Sequence, residues 1–290
     1  MIYPDISIKD YELLRLLPRV LRARDFYLYL EGGKRLTDLW LWGGKAVLGH
    51  KPPQVLRELK NSAERGLFTP LPHPLEKRLF KALSVFFPDK SFRLYLDEAS
   101  LHRALDTVGI ENIANVCRWR PFLDEPAGKG PLLIYPVLPF ALGPAVLVLD
   151  NNADSSFPPG ELIPPVLLAP ATRALYDLAA ELKAKNPNRG SPHLPKIGRF
   201  FSSKSSGHGN GKMAIGSGSV AGIWRRRGIY LTLDRTMDKD EYTVLFRRFL
   251  EGGFLIPPSQ EDPLILPGIM SKGEEDKLAG LLEINAASNP

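Results

Sequence analysis

The chain has 290 residues, of which 44% are hydrophobic, and 38 basic against 32 acidic residues give a formal net charge of +6. A chain of this size and composition can bury the core of one large domain or of two unequal ones. The two signs of charge are mixed along the whole length, and the longest basic block is the triplet 225–227, so we expect no nucleic-acid partner.

Cysteine usage and the N-terminal residues favour a soluble protein of a reducing compartment. Cys117 is the single cysteine, so no internal disulfide can form, and no cysteine or histidine spacing fits a metal site. The N-terminal sequence MIYPDISIKDYELL carries charges where a signal peptide needs an apolar run. No window approaches the roughly eighteen uninterrupted apolar residues of a membrane helix. We therefore expect a cytoplasmic protein with no membrane partner.

The first elements predicted along the chain are a β-hairpin and a helix. Residues 26–30 and 35–41 are rich in aliphatic and aromatic side chains, and the turn between them contains Gly32 and Gly33. A helix is predicted to begin at Pro53 and to end near Gly66. Its apolar face is formed by Val55, Leu56, Leu59 and Ala63.

The central part of the sequence predicts an α/β sheet. A second helix begins at Pro74, and short apolar runs bounded by Pro, Gly or Asp then predict buried strands. These strands are residues 132–135, 145–149 and 166–169. The helical periodicity of residues 171–185 predicts a helix after the third strand.

The C-terminal part predicts a long loop followed by a small α+β unit. Residues 186–222 are dense in Gly, Ser, Asn, Pro and Lys, a composition typical of a long or partly disordered loop. Beyond it the pattern predicts strand 229–233, helix 242–250, strands 254–256 and 264–266, and helix 274–282.

Two segments carry a resemblance to a known family. The first is FYLYLEGGKRLTDLWLWGGKAVLGHKPPQVLRELKNSAERG, and the second is RRRGIYLTLD followed by LFRRFLEGGFLIPPSQEDPLILPG. In this order they resemble the N-terminal segment and the small domain of class III aminotransferases. These are pyridoxal-phosphate enzymes of fold type I, and the glutamate-1-semialdehyde aminomutases are among them. In the first segment the matching positions are Gly33, Leu36, Asp38, Gly43, Gly49, His50, Pro53, Val55 and Leu59.

The resemblance implies an α/β fold of the PLP-transferase type, with a shortened large domain and an α+β small domain. Residues 1–70 would form an N-terminal hairpin and helix that join the small domain, and residues 71–190 the large domain. Residues 191–222 would form a Gly/Ser-rich loop, and residues 223–290 the small domain. Because family members build their sites at a dimer interface, the resemblance also implies a homodimer.

The aspartate that such a cofactor needs has one candidate, Asp150. The family places an aspartate after a buried strand to keep the pyridine nitrogen protonated, and Asp150 follows the run AVLVL. The family's next residue is acidic, whereas this chain has Asn151. A second interpretation is that Asp150 simply begins a turn, which its two following asparagines also favour.

The phosphate-binding motif of the family is altered. The family has "SGTEA" at the start of a helix, where hydroxyls and backbone N–H groups hold the phosphate. In this chain Glu98 and Ala99 match, but Tyr95, Leu96 and Asp97 stand in place of serine, glycine and threonine. Leu96 would block close backbone approach and Asp97 would repel a phosphate, which counts against cofactor binding.

Candidates for the Schiff-base lysine lie in unexpected places. The run PPVLLAPA is similar to the family's strand before that lysine and puts Ala171 at its position. Lys212, in GKMAIGSGSVAG, lies in a loop similar to the one around the family's lysine, and Lys204 is a weaker match. The other interpretation, which we favour, is that Lys212 is a solvated lysine of a flexible loop.

Three hypotheses follow. In the first, the protein is a degenerate, aminotransferase-like pseudoenzyme that lacks the Schiff-base lysine and has a non-catalytic or altered role. In the second, it is an active PLP-dependent aminotransferase or aminomutase that uses Lys212 and Asp150 on a small amino acid. In the third, the resemblance is local and the protein is an unrelated scaffold.

Overall fold

The computed structural model describes residues 12–107, 116–122, 133–150, 157–184, 218–220 and 223–283. In chain order these form β1 (Val20–Arg24), β2 (Tyr27–Leu30), β3 (Arg35–Asp38), α1 (Pro53–Glu64), α2 (Leu75–Leu83), β4 (Lys90–Tyr95), α3 (Glu98–Thr107), β5 (Val116–Trp119), β6 (Leu133–Pro136), β7 (Ala145–Asp150), α4 (Pro165–Ala184), β8 (Gly218–Val220), β9 (Trp224–Arg227), β10 (Tyr230–Leu233), α5 (Lys239–Glu251), β11 (Phe254–Leu255), β12 (Leu264–Ile265) and α6 (Lys272–Glu283). Short 3₁₀ segments cover Glu12–Leu16, Glu31–Gly33 and Leu41–Gly44.

The chain divides into two compact units. The first contains the described residues between Gly44 and Gly190, and the second contains those between Asp10 and Gly43 and those after Ser191. The first unit includes α1, which packs against α4. This division falls after residue 43, and the domain bounds implied by the family resemblance stay a prediction.

The first unit is a sheet covered by helices on both faces. Over the described residues its sheet has four strands in the order β4-β7-β6-β5, with β7 antiparallel to both neighbours and β5 parallel to β6. Alternate side chains of β7 point to opposite faces. Val146 and Val148 join a core with residues of α2 and α4, whereas Leu147 and Leu149 join a core with residues of α3.

The strands predicted at 132–135 and 145–149 are confirmed as β6 and β7, but the strand predicted at 166–169 is wrong. Those residues form the first turn of α4, which begins at Pro165 and continues through the helix predicted at 171–185. A short apolar run does not distinguish a buried strand from a buried helix. Here Leu168, Ala171 and Leu175 face the core at helical spacing and are almost fully buried.

In the second unit, the predicted hairpin is confirmed. β2 and β3 pair antiparallel, with Leu28 opposite Leu36, in a sheet of order β1-β2-β3-β11. Among the described residues a further sheet has the order β12-β10-β9-β8, and its strand β8 lies in the segment predicted as a loop. The predicted elements from residue 229 onward are confirmed as β10, α5, β11, β12 and α6. Trp224, Phe246 and Phe249 lie in the core of this unit.

The turn after β3 holds its backbone in the left-handed region. Leu41, Trp42 and Gly43 have φ of 47°, 54° and 66°. Asp38 Oδ1 accepts hydrogen bonds from the backbone N–H of Trp40 at 2.8 Å and of Leu41 at 2.9 Å. These bonds offset part of the cost of left-handed φ at two residues with side chains.

Within the part of the chain that the structure describes, no helix is both long enough and apolar enough to cross a membrane.

Candidate functional site at the start of α3

The N-terminus of α3, where the family resemblance places a phosphate, is capped by the chain's own carboxylate. Asp97 Oδ1 accepts a hydrogen bond from the backbone N–H of Ser100 at 2.7 Å, and the backbone carbonyl of Asp97 accepts one from Leu101 at 3.1 Å. Asp97 is therefore the N-cap residue. Its negative charge already interacts with the positive end of the helix dipole.

A second carboxylate lies beside this cap. Glu161 Oε2 accepts a hydrogen bond from the backbone N–H of Leu96 at 2.7 Å, and Glu161 N–H donates to the carbonyl of Leu94 at 2.7 Å. The amide that an anion would need at position 96 is thus already bonded to an acidic side chain. Next to Asp97 and Glu161, a phosphate dianion would meet like charge, so this donor set does not fit pyridoxal phosphate.

Glu98, the first residue of α3, is the centre of a half-buried ion network. Lys45 Nζ lies 3.1 Å from Glu98 Oε1, and Arg118 Nη2 lies 4.0 Å from the same oxygen. The Tyr135 hydroxyl also donates to the Glu98 carboxylate. Burial by itself would raise the pKa of Glu98, but these three partners outweigh it and lower the pKa to about 2.

Two buried aromatic residues lie in the core on the same side of the sheet as α3. Burial raises the pKa of the Tyr135 hydroxyl, and the neighbouring Glu98 carboxylate raises it further. Tyr95 ends β4 and is 2% exposed, and its hydroxyl has no hydrogen-bond partner among the described residues.

His102 lies one turn after Glu98 on α3. Burial lowers the pKa of His102, so that its neutral form is favoured at neutral pH.

Asp150 ends β7 as predicted, but it lies far from the start of α3. It forms an ion pair with Lys90, the first residue of β4 and its partner in the antiparallel register. At the other end of the same register Tyr95 pairs with Ala145. Five residue steps of about 3.4 Å separate the two ends, which is about 17 Å.

Asp150 and α3 also belong to opposite faces of the sheet. Asp150 continues the alternation of Val146 and Val148, which face α2 and α4, whereas α3 packs on the other face. One pyridoxal-phosphate molecule cannot place its ring nitrogen on Asp150 and its phosphate at the N-terminus of α3. The structure therefore does not bring these two predicted features together.

Neither lysine candidate can be placed. Lys212 and Lys204 lie outside the described residues. Ala171 is fully buried inside α4, where it packs in the core with Leu168 and Leu175. The alignment of Ala171 with a lysine that follows a strand depended on the strand at 166–169, and the helix removes that basis.

The Glu98 network was not predicted from the sequence beyond Glu98 itself, which belongs to the altered motif. Its members come from the segment before α1, from α3, from β5 and from β6. No spacing rule connects residues so far apart in the chain, so the sequence offered no signal for the network.

In the described ranges, no group of three or more His, Cys, Asp or Glu residues could hold a metal ion.

No family model matches the chain. An uncharacterized protein of Treponema pallidum (strain Nichols) is 28% identical over 286 residues, which cover 88% of this chain and 91% of that protein. Glutamate-1-semialdehyde 2,1-aminomutase of Thermus thermophilus is 34% identical over 71 residues, or 24% of this chain and 17% of that enzyme. The solved structure of ornithine aminotransferase from Plasmodium yoelii superposes with a TM-score of 0.58 at 13% identity and covers 91% of this chain and 92% of that one.

The structural comparison defines the class of fold. The chain has a mixed α/β fold with helices on both faces of the central sheet of its first unit. This fold is that of the aminotransferases, which confirms the fold predicted from the resemblance.

Proposed function

We propose that this protein is a non-catalytic relative of the class III aminotransferases that keeps their fold and has lost pyridoxal-phosphate chemistry. The observation that carries the proposal is the Asp97 carboxylate at the N-terminus of α3, 2.7 Å from the backbone nitrogen of Ser100. A helix N-terminus is a favourable place for a phosphate when its N–H groups are available. Here the chain's own carboxylate takes that place.

The separation of Asp150 from α3 also supports the proposal. Even if the cap at Asp97 were displaced, the aspartate predicted to hold the pyridine nitrogen would remain at the opposite end of β4 and β7. Its ion pair with Lys90 explains the residue without a cofactor. The partial match to an aminomutase supports shared ancestry, and it covers too little of that enzyme to carry its activity across.

The test is whether any lysine forms a Schiff base with pyridoxal phosphate. We expect no absorption band of a protein-bound Schiff base near the edge of the visible range at any concentration of added pyridoxal phosphate. Borohydride reduction followed by peptide mass spectrometry should show no specific modification at Lys212. The Thermus aminomutase, treated in the same way, is the positive control.

The alternative is an active aminotransferase or aminomutase that acts on a small amino acid through Lys212. An absorption band that is present in the protein and lost in Lys212→Ala would establish this alternative and overturn our proposal. Weak modification shared by the protein and the variant would reflect surface lysines and would leave no specific cofactor lysine at position 212.

A further inference from the structure

One face of the hairpin sheet in the second unit carries alternating arginine and tyrosine side chains. Arg22 of β1 is opposite Tyr29 of β2, which is opposite Arg35 of β3. The adjacent row on the same face places Arg24 opposite Tyr27. The other face is buried, since Leu28, Leu30 and Leu36 lie in the core. We call the outward set of Arg22, Arg24, Arg35, Tyr27 and Tyr29 the arginine face.

Tyrosine rings hold two of these arginines in place. The guanidinium carbon of Arg22 lies 4.2 Å from the ring centroid of Tyr29, and that of Arg35 lies 4.2 Å from the centroid of Tyr27. Cation–π contacts at this distance are attractive. A guanidinium held over a ring has already lost part of its freedom, so binding an anion costs less conformational entropy.

The arginines of the arginine face differ in how far their charges are paired with carboxylates of the fold. Arg35 Nη2 donates to Glu274 Oε1 at 2.7 Å, so its charge is largely taken up within the fold. Arg24 lies 3.5 Å from Asp25, but both side chains are more than half exposed, and such a pair is worth little. Arg22 is exposed and has no ion pair among the described residues.

We propose that the arginine face binds an extended acidic segment of a partner protein, with carboxylates at alternate positions. Arg22 and Arg24 lie two residues apart on one strand, a spacing of about 7 Å. Alternate side chains of an extended peptide have the same spacing, so carboxylates at alternate positions recur at the interval that separates Arg22 from Arg24 along the strand. Guanidinium and carboxylate form charge-assisted, often bidentate hydrogen bonds.

A protein segment fits this face better than a single-stranded nucleic acid. Nucleic-acid platforms present open aromatic rings on which bases stack. The rings of Tyr27 and Tyr29 are instead covered by arginines.

The experiment measures binding of the full chain to a fluorescein-labelled peptide with glutamate at alternate positions, by anisotropy at low salt. We expect the double variant R22Q/R24Q to bind about tenfold more weakly, the combined effect of two exposed charge pairs. The matched control is R57Q/R65Q, which removes two exposed arginines from the region of α1. It should bind as the unmodified chain does, and near-identical thermal unfolding of all three proteins should confirm that each is folded.

A charge swap makes the test specific. The variant R22E/R24E should lose the glutamate peptide and gain a peptide with lysine at the same alternate positions. If R22Q/R24Q and R57Q/R65Q weakened binding of the glutamate peptide equally, the binding would depend only on net charge. That result would overturn the proposal. Two other results would also overturn it: no binding of the glutamate peptide to the unmodified chain, and tighter binding of oligothymidylate that depends on the same two arginines.

Discussion

Gly160 lies where the segment after residue 157 passes along the outer edge of β4. A Cβ atom added at Gly160 would lie 2.8 Å from both the backbone nitrogen and the backbone oxygen of Leu94. Because these are backbone atoms of a paired strand, they cannot move aside cheaply. We expect Gly160→Ala to lower the free energy of unfolding by about 1–3 kcal/mol, measured by urea denaturation.

The control for this prediction is Gly280→Ala in α6, where an added Cβ would meet nothing within 4 Å. Alanine is favoured over glycine inside a helix by roughly 0.5–1 kcal/mol, so this variant should be slightly stabilised. If Gly160→Ala also proved neutral or stabilising, the close contact between residue 160 and β4 would be wrong.

Glu98 has a lowered pKa because its cationic and hydroxyl partners favour the charged form. Its pKa in the folded protein is about 2, against an ordinary value of 4.5. The stability that the network contributes is therefore fully present above about pH 4.5 and is lost as the pH falls toward 2. We expect Glu98→Gln to cost about 3 kcal/mol at neutral pH, measured by urea denaturation.

The pH dependence of this destabilisation distinguishes the loss of the Glu98 charge from a loss of packing. The destabilisation caused by Glu98→Gln should shrink as the pH falls from neutral toward 2, because the unmodified chain loses the same charge there. The exposed α1 residue Glu64 provides a control, and Glu64→Gln should leave stability nearly unchanged at both ends of the range. A penalty for Glu98→Gln that does not vary with pH would contradict the network.

At the level of single elements, α3 depends on its cap. Asp97→Ala removes the acceptor of the Ser100 N–H bond and should lower stability by about 1 kcal/mol. Asp97→Asn keeps a side-chain oxygen at the cap and should cost less, since asparagine is also a good N-cap residue. Urea denaturation of the two variants measures the difference. Equal losses in both variants would show that the charge, and not the hydrogen bond, stabilises the helix.

The elements with a clear period were predictable from the sequence. The hairpin, α1, β6, β7 and the five elements after residue 229 follow from local apolar patterns and turn residues, which the structure confirms. The same reasoning gave a wrong prediction for residues 166–169, because a run of four apolar residues suits a buried helix as well as a buried strand. Burial of α4 against α1 and α2 decided the outcome, and that is a property of the tertiary fold.

The candidate site was less predictable than the fold. The substitution of Asp97 in the phosphate motif was visible in the sequence, and the structure supplies its consequence as a helix cap. The position of Asp150 was not visible, because only the antiparallel register of β4 and β7 places it away from α3. The Lys45 and Arg118 partners of Glu98 come from distant segments, so tertiary packing alone brings them together.

At the scale of the whole molecule, a fold can be retained when the chemistry of its relatives is not. A TM-score of 0.58 over 91% of the chain at 13% identity shows that the aminotransferase fold tolerates extensive substitution. A fold is specified by many dispersed apolar positions, whereas a cofactor site depends on a few residues at fixed places. Loss of the site with retention of the fold is the outcome that we propose here.

A homodimer, implied by the family resemblance, remains a prediction, and the first unit offers a surface for it. Phe68 and Leu71 are 60% and 59% exposed, and Leu96 and Leu162 are each 48% exposed. Hydrogen bonds connect these segments, since Leu96 donates to Glu161 and Val166 donates to Leu67. Exposed apolar side chains on neighbouring segments are typical of interaction surfaces. We call these four residues the apolar patch.

We expect light scattering after size exclusion to give a mass of twice 32.3 kDa for the unmodified chain. The double variant F68E/L71E should give the monomer mass, because burying two carboxylates without partners in an interface is costly. Val244→Glu, at an exposed position of α5 in the second unit, is the control and should remain dimeric. If the unmodified chain gave the monomer mass, the dimer prediction would be wrong. If F68E/L71E gave the dimer mass, the interface would lie away from the apolar patch.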